Sequence, residues 1–226
     1  MQTIKLEQVK KIFHQGRPNE FCAIHGIDLT IEPHYTTVLK GPSGSGKTTL
    51  LSMIGCLSRP TSGRITIGGD MLSGLPERFM TEIRRKTFGF IFKQFNLIKG
   101  LTVLENVMLP AYPLAPNHAA LKQHALQLLD QFGLVSKATL NVEFLSGGEA
   151  QRTAICRAMI NDPEILIADE PTANLDTKLS REFMALIQQL VDQGTTVILT
   201  SHDPEVYESP VIDRVVEMRD GLLESL

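Results

Sequence analysis

The sequence predicts an α/β domain: a parallel sheet covered by helices, with a helical insertion in the middle of the chain. Three observations lead there. A glycine-rich loop, GPSGSGKT at 41–48, stands between an apolar strand pattern and an apolar helix pattern. Two buried-strand runs, 165–169 and 195–201, flank a segment of helical period at 177–193. That is a βαβ unit, and it implies parallel pairing. Between about 95 and 160 the apolar residues recur at helical rather than strand spacing.

The elements follow in order. Residues 3–9 (TIKLEQV) and 27–31 (IDLTI) read as strands, and 36–40 (TTVLK) is the strand that feeds the glycine loop. Residues 48–57 read as a buried helix, and 63–69 (GRITIGG) as a short strand closing on a Gly-Gly turn. A helix over 119–132 ends at Gly133, a residue suited to the left-handed cap. The next helix, 146–161, stops before Pro163. The segment RVVEM-RDG-LLES reads as a hairpin.

Bulk properties narrow the function. The 226 residues suit one domain, or a core with a subdomain built into it, and 42% hydrophobic content is enough for a real core. A net charge of -3 gives no electrostatic grip on nucleic acid or anionic lipid. No apolar run approaches the ~20 residues that span a bilayer. The first residues alternate polar and apolar instead of forming a signal peptide, so a cytoplasmic chain is expected. Cysteines at 22, 56 and 156 match no zinc or redox spacing. Cys56 and Cys156 lie in apolar helical stretches and are expected as buried thiols.

The loop of Gly41, Pro42, Ser43, Gly44, Ser45, Gly46, Lys47 and Thr48, with Thr49 beside it, fits a phosphate cradle. Glycines let several N–H groups converge on one anion, and the helix N-terminus adds about half a positive charge. Lys47 reaches the outer phosphates, and the Thr48 hydroxyl can ligate Mg²⁺. Downstream, the apolar run ILIA ends in Asp169 and Glu170. A parallel sheet binds ligands at that strand end. There one carboxylate can hold the metal shell and the next can polarise a water.

Leu145-Ser-Gly-Gly-Glu149 precedes a helix, and Ser146 with Glu149 makes a capping box. The N–H groups of Ser146, Gly147 and Gly148 also form a second phosphate site. One nucleotide on one chain has little use for two such sites, whereas two chains facing head to tail do.

With the phosphate loop, LSGGE followed by AQR, ILIADEPTANLD and TSHD in this order, the chain resembles the ATP-binding-cassette (ABC) ATPases over essentially its whole length. The resemblance implies the ABC ATPase fold: a P-loop NTPase core with an antiparallel β subdomain and a helical insertion at about 95–160. It implies ATP and Mg²⁺ as ligands, with Phe13 stacking on adenine. Glu170 matches the catalytic carboxylate and His202 the switch histidine at the γ-phosphate. Thr48, Asp169 and a glutamine hold the metal. Asn174, Leu175 and Asp176 match a loop that communicates across a dimer. Ser146, Gly147, Gly148 and Glu149 face ATP on the opposite subunit. The stretches GFIFKQFNLI and LTVLENVMLP look like the subfamily serving lipoprotein release, macrolide export and related envelope functions.

Departures from the pattern matter. Where the family has glutamine after the phenylalanine, this chain has Lys93, with Gln94 following. Either Gln94 slides into the metal role or the loop handles metal differently. His34-Tyr35 replaces a common Gly-Glu. Lys40 replaces an apolar residue, either adding charge beside the phosphates or standing solvated at a strand end. Phe95, Leu97 and Ile98 are apolar in a loop, either gripping a partner or packing into the insertion.

The resemblance implies as partners a second nucleotide-binding subunit and an integral membrane permease with a cytoplasmic coupling helix, and no nucleic acid. The chain would then lie peripherally on the inner face of the membrane. The rival readings are an ATPase transmitting force to an envelope enzyme, and a soluble remodelling ATPase.

Overall fold

The computed structural model describes residues 3–114, 117–173 and 175–224. Strands β1 (Ile4–Phe13) and β2 (Phe21–Ile31) pair antiparallel. Both run longer than their alternation suggests. Gln8 (φ 49°) interrupts β1 with a bulge, beyond which pairing resumes and carries the strand on to Phe13. β3 (Thr36–Lys40) leads into α1 (Lys47–Ile54), and β4 (Ser62–Ile67) and β5 (Asp70–Met71) complete a four-stranded sheet of order β2-β1-β4-β5.

Helix α2 (Glu77–Thr87) and strand β6 (Phe88–Ile91) are among the elements the sequence pattern did not show. Helix α2 buries only Met80, with Ile83 partly buried beside it, so its narrow apolar face is set among charged residues. Glu77 in its first turn and Arg84, Arg85 and Lys86 in its last complement the helix dipole. Strand β6 is four residues long. A helical segment follows: α3 (Val103–Met108), a 3-10 stretch (Leu109–Leu114), α4 (His118–Gln131) and α5 (Gly147–Met159). Side-chain caps start each of its α-helices. Thr102 and Ser146 form capping boxes with Glu105 and Glu149, and Asn117 accepts from Ala119 N–H.

The chain then returns to the core through β7 (Ile165–Ala168), α6 (Thr177–Asp192), β8 (Thr196–Ser201), the short α7 (Pro204–Tyr207), β9 (Arg214–Arg219) and β10 (Leu222–Leu223). The expected βαβ unit is β7-α6-β8, with Ile165 beside Thr196 in parallel register. The expected hairpin is β9-β10. The second sheet has the order β10-β9-β3-β8-β7-β6, parallel except for β10.

Strand periodicity divides the core in two. Val38, Leu166, Ala168, Val197 and Leu199 face α3 to α6, joined by Phe183, Met184, Ile187 and Leu190 from one face of α6. Leu39, Ile165, Ile167 and Ile198 face the opposite way, onto α1 and the antiparallel sheet. Each fully buried side chain of this kind contributes about 1.5–3 kcal/mol relative to exposure. The helical segment therefore shares a core with one face of the parallel sheet, and the antiparallel sheet shares one with the other. Among the described residues no helix is long and apolar enough to cross a membrane.

Candidate nucleotide site

Four neighbouring strands, β3, β8, β7 and β6, point the same way, and their C-terminal ends carry the loops of the site. A cavity of about 640 Å³ opens there. Ser43, Gly44, Gly46, Lys47, Thr48 and Thr49 line it from the glycine loop, Asp169 and Glu170 from the end of β7. Phe13 and Phe21, paired across β1 and β2, line its far wall with His14 and Asn19.

The loop's backbone explains its glycines. Gly46 has φ 98°, and a Cβ there would meet Ile24 Cδ1 at 2.8 Å and Ala23 O at 2.9 Å. At Gly41 a Cβ would stand 2.1 Å from Met218 O. Gly41 and Ser45 are buried beneath the cradle, and Pro42 is exposed on it; none of the three lines the cavity. The Lys47 ammonium donates to Gly41 O (2.7 Å) and Pro42 O (2.8 Å). Burial pulls its pKa down, and Glu170 and Asp169 partly restore it.

Thr48 Oγ1 donates to both Asp169 oxygens at 3.0 Å, which brings hydroxyl and carboxylate oxygens together. The described residues contain no group of three His, Cys, Asp or Glu side chains able to hold a metal ion. This donor set fits Mg²⁺, which takes one or two protein oxygens and completes its shell with phosphates and water.

One residue of this network carried no sequence signal beyond lying in the TSHD strand. Thr200, fully buried, donates to Asp169 Oδ1 (2.8 Å) and accepts from Glu170 N–H (2.8 Å). It locks two consecutive carboxylates into different directions, with Glu170 held at φ 43°. Glu170 lies between cavities: the larger one, and a second of about 320 Å³ that it shares with Thr172, Ser201 and His202. His202 Nδ1 is 3.5 Å from Glu170 Oε1, and Lys93 Nζ is 2.6 Å from Glu170 Oε2. Burial pushes the Glu170 carboxyl up, but the Lys93 hydrogen bond and the charges of Lys93, His202 and Lys47 outweigh it and hold the pKa below the usual range.

Lys93 lines the cavity, whereas Gln94 is exposed and does not. The expected metal and nucleotide contact from Gln94 therefore has no counterpart among the residues lining the cavity. A turn closed by Phe95 N–H to Phe92 O (2.8 Å) puts Lys93 and Gln94 at its centre, and it is Lys93 that reaches the site. Phe95 and Asn96 follow with φ 57° and 49°. Their carbonyls accept from the Arg157 guanidinium of α5, at 2.6 Å for Asn96. Lys40 turns away from the cavity: its ammonium lies 4.5 Å from the Tyr207 ring centroid and 3.7 Å from Glu217. His34 takes a left-handed φ of 62° and is pinned through Nδ1 to Gly194 O at 2.5 Å.

Ser146, Gly147, Gly148 and Glu149 stand outside this cavity. Ser146 and Gly147 are exposed, and Glu149 Oε2 accepts from Ser146 N–H at 2.9 Å. Asp176 caps α6 through Leu179 N–H at 2.9 Å, and Asn174 lies outside the described residues. Leu97 packs against the helical core, while Ile98 stays exposed. A separate groove of about 300 Å³ lies between β6 and the helical segment, walled by Phe88, Phe90, Phe92, Pro110 and Pro113 with Arg84 and Arg85. Phe90 and Phe92 stack there at 6.0 Å. Sequence reading did not find it, because its walls come from four separate segments.

Residues 24–173 match the family model described as ABC transporter. The chain is 40% identical to the lipoprotein-releasing system ATP-binding protein LolD 1 of Rhodopseudomonas palustris, over 96% of each chain. It is 39% identical to the macrolide export ATP-binding/permease protein MacB of Hyphomonas neptunium, over 98% of this chain and 34% of that protein. Among solved structures, the dimeric structure of MJ0796, a bacterial ABC transporter cassette, superposes with a TM-score of 0.89 at 38% identity, covering 98% of this chain and 97% of that one. A post-hydrolysis MJ0796 dimer bound to ADP and Pi matches equally, with a TM-score of 0.89 at 37% identity over the same shares of the two chains.

Proposed function

The chain belongs to the ABC transporter family as an ATP-binding, ATP-hydrolysing subunit, and we propose that two copies close head to tail on two ATP molecules to drive a membrane partner. The observation that carries the arrangement is the position of Ser146 to Glu149. These residues begin a helix whose first turn is exposed at Ser146 and Gly147, yet they lie outside the chain's own nucleotide cavity. A helix N-terminus of this kind suits phosphate supplied by another subunit. The solved MJ0796 cassette is a dimer, which supports two copies as the unit.

Within each site the residues divide the work. The cradle from Gly41 to Thr49 and the Lys47 ammonium hold the phosphates, and Phe13 stacks on the base. Thr48 and Asp169 hold Mg²⁺, which neutralises charge on the phosphate oxygens when bound. Glu170 accepts a hydrogen bond from the attacking water and polarises it; His202, beside it, senses the terminal phosphate. Thr200 keeps Asp169 and Glu170 apart in role.

The membrane partner's cytoplasmic helix docks in the aromatic groove between β6 and the 3-10 stretch. The MacB relative carries its permease in the same polypeptide as its ATP-binding part, which supports a permease as the occupant here. The substrate class is a lipoprotein, peptide or macrolide-like molecule moved out of or across the membrane.

The test is assembly state. Glu170→Gln, mixed with MgATP, is expected to run as a dimer in size-exclusion chromatography and as a monomer with ADP. A monomer under both conditions would reject the head-to-tail reading. The same variant, solubilised with its native membranes in MgATP, is expected to bring down a stoichiometric integral membrane protein.

A further inference from the structure

Lys93 is the cation nearest the carboxylate that the proposed reaction depends on. Its ammonium donates to Glu170 Oε2 at 2.6 Å, and Glu170 Oε1 faces His202 Nδ1 at 3.5 Å. A carboxylate that polarises water needs an oxygen at about 2.6–3.2 Å from that water. Lys93 already occupies that distance on one oxygen. The Lys93 side chain is half-exposed, and ion pairs reached by water contribute little, so release costs little.

The contact follows from the backbone around it. Glu170 is aimed by its left-handed φ and by the Thr200 hydroxyl on its N–H. Lys93 is aimed by the Phe92–Phe95 turn, which Arg157 fastens from behind. Both partners are therefore placed by groups other than each other. A neutral side chain at 93 would leave Glu170 Oε2 open to solvent without disturbing the turn.

We propose that Lys93 is a positioning residue that restrains hydrolysis, holding Glu170 in an ion pair from which it must be released before the carboxylate can engage water. This rests on the reading of Glu170 as the group that polarises water. The restraint acts on turnover, because Lys93, although it lines the same cavity, is held on the Glu170 carboxylate, whereas Lys47 and the glycine loop form the phosphate cradle.

The experiment measures steady-state MgATP hydrolysis by the full chain for wild type, Lys93→Gln, Lys93→Arg and Glu170→Gln. Lys93→Gln is expected to raise kcat by about threefold or more, with KM for ATP changed less than about twofold. Lys93→Arg keeps the ion pair and is expected to stay near the wild-type rate. A Lys93→Gln rate equal to or below wild type overturns the proposal. So does an effect confined to KM or to the Mg²⁺ concentration for half-maximal rate, and so does a Lys93→Arg rate as high as that of Lys93→Gln. Glu170→Gln separates the two levels. If it is inactive while Lys93→Gln changes nothing, only the restraint is lost. If it hydrolyses at the wild-type rate, the assignment of Glu170 falls and the restraint falls with it.

Discussion

The two glycine-bearing helix starts proposed to bind phosphate are built in contrasting ways. The cradle at Gly41 to Thr49 is surrounded by its own chain: strand ends, two aromatics and two carboxylates converge on one open cavity. The α5 N-terminus at Ser146 is open, its N–H groups met only by its own capping box with Glu149. Both are N–H-rich helix starts, so helix physics alone does not separate them. The surroundings do. One gathers phosphate-binding, metal-binding and water-polarising groups on its own chain, and the other has none of them nearby. In the head-to-tail pair proposed above, the two would meet on one nucleotide.

The largest effect that would break this contrast lies at Glu170. Glu170→Gln is expected to lower kcat by about 10²–10⁴-fold while retaining ATP, since general-base contributions are of that size. Nucleotide retention is read by equilibrium binding and turnover by phosphate release. Loss of binding with unchanged turnover per bound ATP would place Glu170 in the cradle instead.

A mixing experiment sharpens the contrast directly. Lys47→Ala disables the cradle, and Ser146→Arg blocks the α5 N-terminus. Each variant alone is expected to be inactive. In an equimolar mixture about half the dimers are mixed, and each of those holds one site with both features intact, so about a quarter of all sites recover. If the α5 N-terminus served its own chain's nucleotide, mixing would restore nothing.

Much of this was legible because it is local. The cradle, the ILIA strand with its two acids and the Ser146 capping box each lie within a few consecutive residues, and each declares its conformation through glycine, period or cap. What was missed is assembled at a distance. Phe21 joins Phe13 because a bulge at Gln8 lets β1 continue pairing, and simple alternation hides such continuation. Thr200 reads as one more strand residue until β8 is laid beside β7. The turn at 92–95 decides that Lys93 enters the site and Gln94 does not, and nothing in the order of two adjacent polar residues states which.

A middle-sized effect tests that non-local part. Thr200→Val keeps shape and removes the hydroxyl, so the Glu170 N–H loses its acceptor and Asp169 loses a donor. A buried group left unpaired costs about 1–3 kcal/mol. The variant is expected to melt several degrees lower and to hydrolyse more slowly, with Mg²⁺ affinity reduced through Asp169. Ser146→Ala, which removes an exposed cap from α5, is expected to cost about 1 kcal/mol and leave Mg²⁺ affinity unchanged. Equal effects of the two on Mg²⁺ affinity would contradict the separation of the regions.

The smallest effect concerns the cysteines, which sample both regions without serving either. Cys56 and Cys156 are buried, and Cys22 is only partly so. Burial pushes the Cys56 thiol up to about 11, and it raises Cys156 further. A thiol reacts as its thiolate, and at pH 7.5 a group with that pKa is ionised to well under about one part in a thousand. Maleimide labelling of the folded chain is therefore expected to modify Cys22 alone, with Cys56 and Cys156 reacting only after denaturation. Cys56 follows α1 on the cradle side of the sheet, and Cys156 lies in α5. Labelling of Cys156 before Cys56 would mean that the helical segment opens more readily than the core it packs on. The α5 N-terminus would then sit on the more mobile of the two regions.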